Sequence, residues 1–159
     1  MTTTAPETLY RERLWASVWF FLATALVIPA TLLVFFPISI GIGVGVAALL
    51  YAACVAVLIA NSAVLQVTSE AFYAGRARLP ITFAGAATAY REPEATTQRG
   101  AQLDTRAWPL IRGWVSPVVR VTITDQDDPT PYWLVSTRHP EKLVEALDAA
   151  RQRASETLR

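Results

Sequence analysis

Residues 14–65 read LWASVWFFLATALVIPATLLVFFPISIGIGVGVAALLYAACVAVLIANSAVL, and no Asp, Glu, Lys, Arg or His occurs between Arg13 and Glu70. A bilayer core about 30 Å thick takes ~20 helical residues to cross, and residues 14–36 and 38–65 each reach that length. The stretch therefore predicts two transmembrane helices. The break falls around Phe36-Pro37-Ile38-Ser39, because proline stops or starts a helix and no charged loop is available there. The first run is longer than the apolar core of a signal peptide and a second run follows it at once, so it is expected to stay in the mature protein.

Working outward, Arg11 and Arg13 precede the first helix, Arg76 and Arg78 follow the second, and the tip between them carries no Lys or Arg. By the positive-inside rule this predicts a multi-pass plasma-membrane protein with both termini cytoplasmic. Tyr10, Trp15 and Trp19 at one interface and Phe35 and Phe36 at the other fit an aromatic belt. Within lipid, helices associate through small residues. Ala16/Ser17, Ala23/Thr24 and Ala30/Thr31 recur on one arm, and Gly41, Gly45, Ala48, Ala52, Ala56 and Ala60 on the other. Gly41, Gly45, Ala52 and Ala56 are thus expected to pack against the other arm, with a homodimer through Gly41 and Gly45 as the alternative. Pro29 predicts a kink in the first helix, and Thr24, Thr31 and Ser39 can return their hydroxyl protons to backbone carbonyls. No charged group lies in the spans and two helices enclose no path, so a transporter acting alone is disfavoured.

The whole chain has 159 residues, 53% of them hydrophobic and 17% charged, with net charge +1; its mean hydropathy is +0.33. That balance is too apolar for an ordinary soluble domain and too neutral for a nucleic-acid binder. The division expected is an N-terminal cytoplasmic segment (1–13), the hairpin (14–65) and a cytoplasmic domain (66–159). In the last, Val67, Glu70–Tyr73, Ile81 with Phe83, and Ala86–Arg91 read as short strands. Val119, Val121 and Ile123 alternate with Arg120, Thr122 and Thr124. The turn-rich DQDDPTP at residues 125–131 then leads into a partner strand at residues 132–136, making a hairpin. Pro140 suits a first helical position, and Leu143, Val144, Leu147, Ala150 and Ala154 form an apolar stripe. The fold class expected is a transmembrane helical hairpin plus a small α+β domain whose antiparallel sheet is closed by a C-terminal helix. Residues 91–112 read as a long irregular loop.

Chemistry is sparse. One cysteine (Cys54, in the apolar run) and one histidine (His139, before Pro140) leave no thiol pair and no imidazole cluster, so neither a metal nor a cofactor is expected. No phosphate loop is present: Gly41, Gly43 and Gly45 lie in the span, and Gly75-Arg-Ala-Arg78 lacks the Lys and hydroxyl residue. Asp125, Asp127 and Asp128 read as a solvated turn whose carboxylates accept backbone amides. The set with a functional reading is Arg106, Arg112, Trp114, Arg120, Tyr132, Trp133 and Arg138: arginines beside aromatics suit a phosphate-bearing headgroup, a carboxylate or a protein. The competing reading puts Trp114 and Trp133 in the core and pairs Arg120 and Arg138 with Asp125 or Asp104.

The motifs YRERLW (10–15) before the hairpin, AGRARLP (74–80), Asp104-x-Arg106-Ala107, Arg112-x-Trp114, Val119-Arg-Val121 and DPTPYWLVSTR (128–138) resemble an uncharacterised actinobacterial membrane protein family, domain of unknown function 3093. The resemblance covers almost the whole chain and implies an integral plasma-membrane protein with no established activity or cofactor. In architecture, a hairpin followed by strands and a closing helix is similar to bacterial membrane-anchored pleckstrin-homology-like domains. The expected function is a non-enzymatic, membrane-anchored module that binds a protein partner or anionic lipid headgroups, without nucleic acid. With no linker after the second helix, the domain is expected on the bilayer surface, where Arg76 and Arg78 meet anionic lipid. The alternative is a small accessory subunit of a larger envelope or transport complex.

Overall fold

A computed structural model describes residues 7–157, and its contacts divide the chain into residues 15–62 and a second unit made of what precedes and follows them.

Residues 15–62 hold three helices, α1 (Val18–Ala25), α2 (Val27–Phe35) and α3 (Ile40–Ala60). The segments Val18–Phe35 and Ile40–Ala60 are each long and apolar enough to cross a membrane. Leu26 separates α1 from α2 because Pro29 offers no N–H to the preceding turn; the ladder resumes only at Ala30 N–H, which donates to Leu26 O at 3.3 Å. Thr24 and Thr31 donate to the carbonyls of Phe20 and Val27, both at 2.7 Å. After α2 the chain turns through Pro37 to Ser39. At the end of α3, Asn61 and Ser62 bond the carbonyls of Val57 and Leu58.

The arms meet on a face other than the one expected. Gly43 and Ala47 of α3 and Thr31 of α2 are the buried residues, whereas Gly41, Gly45, Ala52 and Ala56 are exposed. The reason is a close approach: a Cβ on Gly43 would lie 2.9 Å from Phe35 Cβ, while one on Gly45 would meet nothing within 4 Å. The turn sets the phase of α3, and only Gly43 stands where the α2 side chain must pass.

In the other unit, β1 (Thr8–Arg13), β2 (Val64–Thr68), β3 (Ala71–Ala74) and β4 (Ala77–Pro80) form an antiparallel sheet in chain order. Residues 8–13 are thus not a separate segment but the first strand of the domain. β1 pairs with β2, Arg11 facing Gln66 and Arg13 facing Val64. Residues 64 and 65 likewise belong to β2 and not to the second span. A two-residue turn joins β3 and β4, and its first residue, Gly75, has a φ of 63°, which favours glycine.

A 3₁₀ turn, Ile81–Phe83, leads to the second sheet: β5 (Ala84–Tyr90), β6 (Trp108–Leu110), β7 (Val118–Ile123) and β8 (Tyr132–Ser136), in the order β5-β7-β8-β6. β6 runs parallel to β8, the others antiparallel. β6 and the helix α4 (Glu94–Arg99) lie in the stretch expected to be an irregular loop. α5 (Pro140–Thr157) ends the described chain and starts at the proline expected to open it.

One core draws on both sheets and α5. Leu65, Val67, Phe72 and Leu79 come from the first sheet, Val119, Val121, Trp133 and Val135 from the second, and Leu143, Leu147 and Ala150 from the helix. The alternation expected in β7 is real but both faces are used: Val118, Tyr132 and Leu134 look the other way, under Ala95 of α4 and Ala107.

Candidate functional site

The register of the two sheets gives this unit two ends. At one end the chain departs from β1 and returns in β2, where Leu14 N–H donates to Ala63 O at 2.8 Å. Both residues are buried. Gly75 N–H, in the β3–β4 turn, donates to Val64 O at 2.8 Å, so Arg76 sits at this same near end. Leu110 Cδ1 lies 3.8 Å from the Cβ position of Gly75, which brings in the loop carrying Arg112 and Trp114. There Arg112 N–H donates to Ser136 Oγ at 3.0 Å. Arg138, between β8 and α5, donates from Nη1 to Arg13 O at 3.5 Å. Arg13, Arg76, Arg112 and Arg138, from four separate stretches, therefore collect around the exit and return of the chain.

A buried carboxylate ties this end together. Glu12, its side chain 9% exposed, accepts from Tyr10 Oη at 2.7 Å, from Thr137 Oγ1 and from Arg138 N–H. Burial raises the Tyr10 phenol; the Thr137 contact opposes that shift and the Glu12 carboxylate reinforces it. Thr137 Oγ1 also accepts from His139 N–H at 3.2 Å, and His139 O accepts from Leu143 N–H. His139 is thus part of the start of α5. Glu12 and Thr137 did not stand out in the sequence, and Tyr10 reads there as an interface aromatic beside a basic flank, whereas the fold places it in β1, bonded to Glu12. Only the alternation of Tyr10 and Glu12 hinted that they share a strand face.

Arg106, Arg120 and Tyr132 form a different group, on the face of the second sheet beneath α4. Arg120 Cζ lies 3.9 Å from the centroid of the Tyr132 ring, and its Nε is buried without a partner among the described residues. The Tyr132 hydroxyl accepts from Asp104 N–H at 2.8 Å and donates to Gln102 O at 3.2 Å. Arg106 pairs with Asp104 at 3.1 Å and, through side-chain and backbone hydrogen bonds, holds that carboxyl below its ordinary range; the Arg120 charge adds a smaller pull. The pairing thus departs from the expected network: Asp104 takes Arg106, and Arg138 takes Glu12. The arginines do not share one face.

Trp133 is buried, 4.5 Å from Trp108 and 5.9 Å from Phe72 between ring centroids, and Trp114 packs on the same core. Trp108, missed because a three-residue strand containing Pro109 has no readable period, completes this aromatic stack.

The far end is acidic. β7 runs from Val118, beside Ser136, to Ile123, beside Ala84, so the loop holding Asp125, Asp127 and Asp128 follows away from the exit. Asp125 accepts Asp127 N–H and Asp128 accepts Thr130 N–H, which lowers the Asp128 carboxyl from its ordinary value. No cluster of three His, Cys, Asp or Glu side chains suited to a metal ion occurs among the described residues. Cys54 is half-buried in α3.

No curated protein and no solved structure matches the chain. A family model described as protein of unknown function matches residues 9–147, from β1 into the first two turns of α5, and so spans the apolar helices and both sheets. The chain belongs to that family, DUF3093.

Proposed function

We propose that this protein is a non-enzymatic plasma-membrane module in which a two-helix hairpin holds a cytoplasmic domain against anionic lipid headgroups. The observation that carries the reading is that the stretches bearing Arg13, Arg76, Arg112 and Arg138 converge at the end where the chain leaves and re-enters the sheet. Four residues separate β1 from α1 and three separate α3 from β2. Connections this short, from hydrogen-bonded neighbours, tether this end within a few residues of a membrane-inserted hairpin, which supports its contact with the lipid surface. Each arginine near an anionic surface is worth ~1 kcal/mol, enough to set how the domain docks and too little to replace the helices as anchor. Arg78, exposed on the edge strand β4, adds to this field. The Asp125–Asp128 loop at the opposite end is repelled by the same surface, so both charges favour one orientation. An antiparallel sheet and a second one that is antiparallel but for β6, with α5 packed on their core, also support a pleckstrin-homology-like kinship, from which the parallel strand β6 departs.

The test uses the full chain in nanodiscs of phosphatidylcholine with and without phosphatidylglycerol, read by amide exchange. Protection of the Gly75-Arg76 turn and of residues 111–117 is expected only with the anionic lipid, and is expected to vanish in Arg76→Ala/Arg112→Ala. Identical exchange in both lipids overturns the docking. A carboxyl-terminal reporter that lies outside the cell overturns the orientation.

A second reading, the accessory subunit, is favoured by α3. Gly41, Gly45, Ala48, Ala52 and Ala56 are exposed, and in lipid such a face suits another helix, from a larger complex or a second copy. A stoichiometric membrane partner lost in Gly45→Leu would support it.

A further inference from the structure

A guanidinium taken partly out of water costs free energy unless an acceptor replaces the water it loses. Three half-buried arginines of the two-sheet unit have such an acceptor: Arg99 pairs with Glu92, Arg151 with Asp148, and Arg112 donates from Nη1 to Ile111 O at 3.2 Å. Arg120 of β7 is half-buried too. Yet no ion pair among the described residues includes it, and its Nε is closed to solvent without a hydrogen-bond partner there. What steadies it is the Tyr132 ring, whose centroid lies 3.9 Å from Cζ. That ring is fixed in turn, because its hydroxyl accepts from Asp104 N–H and donates to Gln102 O. The fork is set in place with no acceptor of its own.

Asp104 is near enough to feel the Arg120 charge, but Arg106 takes both its oxygens, from Nε at 3.3 Å and from Nη2 at 3.1 Å. Two guanidiniums and one carboxylate leave a single positive charge. On its other side the place is open. Arg120 faces Thr88 across the β5–β7 pair, and Thr88 is exposed, so solvent reaches the sheet face at this point.

We infer that Arg120 binds a carboxylate, received at the Nη1 and Nη2 edge of its guanidinium on the sheet face flanked by Thr88 and the Asp104 loop. A planar fork suits carboxylate and phosphate alike. The charge decides between them: a carboxylate is a monoanion and matches the single unanswered positive charge, whereas a phosphate monoester carries close to two negative charges at neutral pH and would be repelled by Asp104. The carboxylate can belong to a free organic acid or to an acidic side chain of a partner protein, and both present the same group to the fork. The site uses none of the arginines gathered at the exit of the chain, so it stands independently of lipid docking.

The test follows the Arg120 Nε–H resonance of the full chain, labelled at arginine, in dodecyl maltoside, which holds neither phosphate nor carboxylate. The buried Nε–H exchanges slowly and gives a signal of its own. Acetate at neutral pH is expected to shift that signal saturably, and chloride at the same concentrations to leave it in place. Thr88→Asp puts a carboxylate directly across from Arg120, at the ~4.5–5.5 Å of opposed strand positions. It is expected to weaken acetate binding about tenfold or more, while the neutral Thr88→Asn binds as the wild type does. Asp104→Asn removes the opposing charge and is expected to tighten acetate. A capped glutamate that binds more tightly than acetate makes the source a partner's side chain, and benzoate that does so makes it a free acid. A response that chloride equals, or that Thr88→Asp retains, overturns the inference. Inorganic phosphate binding more tightly than acetate as the dianion also overturns it and makes the ligand a phosphate.

Discussion

The hairpin and the two-sheet unit sort their side chains by opposite rules. In the hairpin the large residues face outward, with Trp19 73%, Leu33 76% and Leu49 71% exposed, and the contact between arms is made by Gly43, Ala47 and Thr31. In the two-sheet unit Phe72, Leu65, Leu134, Leu143 and Leu147 are fully buried. Water drives large apolar groups together, whereas lipid, the surroundings proposed above for the hairpin, is indifferent to them and rewards only close approach. On that proposal the same leucine is structural in one unit and replaceable in the other.

The largest effect should come from Phe72→Ala. It removes a ring from the stack with Trp133 and leaves a cavity between the two sheets, for a loss of about 3–5 kcal/mol. Trp133 fluorescence followed through thermal unfolding in detergent reads that loss. Leu49→Ala, an equally drastic truncation in α3, is expected to leave the same transition where it was. Equal losses would erase the distinction between the two units.

Two glycines two residues apart sharpen it next. Gly43→Leu forces a side chain into Phe35, an overpacking cost of about 1–3 kcal/mol that parts the arms, whereas Gly45→Leu points into open space. Cysteine pairs across α2 and α3 should lose their cross-link in the first variant and keep it in the second.

What the sequence shows of each unit follows from how local its determinants are. The hairpin is legible because an uncharged run and its proline are local facts, and α5 because Pro140 and the stripe from Leu143 to Ala154 are periodic. The face on which the arms meet is not legible: Gly41, Gly43 and Gly45 look alike until Phe35 is placed against one of them. β1 is hidden because its partner lies beyond the hairpin, some fifty residues on, and three of its six residues are charged. Leu65 reads as membrane because nothing polar but Asn61 and Ser62 separates α3 from β2. Of the candidate arginines, sequence proximity grouped Arg120 with Arg138. Strand register instead puts Arg138 beside Arg13 and leaves Arg120 over Tyr132.

Glu12→Gln probes the polar knot that Glu12 makes between β1 and the start of α5. The amide can keep one acceptor role but loses the charge that Tyr10, Thr137 and Arg138 all address. Charge-assisted hydrogen bonds contribute roughly 1 kcal/mol more than neutral ones. The domain should lose about that much stability, and exchange of the Thr137 and Arg138 amides should rise. An unchanged transition would mean that β1 is held by its strand pairing alone.

The smallest effect concerns the Arg91–Glu141 clasp between the end of β5 and the start of α5. Arg91 holds the Glu141 carboxyl down to about 2 from an ordinary 4.5, chiefly through its hydrogen bonds. A depressed acid stabilises the fold once it is ionised in both states, so its contribution is complete above pH 4.5 and disappears as the pH falls toward 2. Both side chains are more than half exposed, so water and salt screen the pair and the change in melting temperature across that window should be small. Asp104 and Asp128 are shifted in the same direction, so the wild-type slope contains their share as well. Glu141→Gln should flatten the slope by its own part only, and added salt should shrink the difference between the two proteins. If the variant keeps the full slope, the start of α5 is held by the core packing of Leu143 and Leu147 rather than by charge.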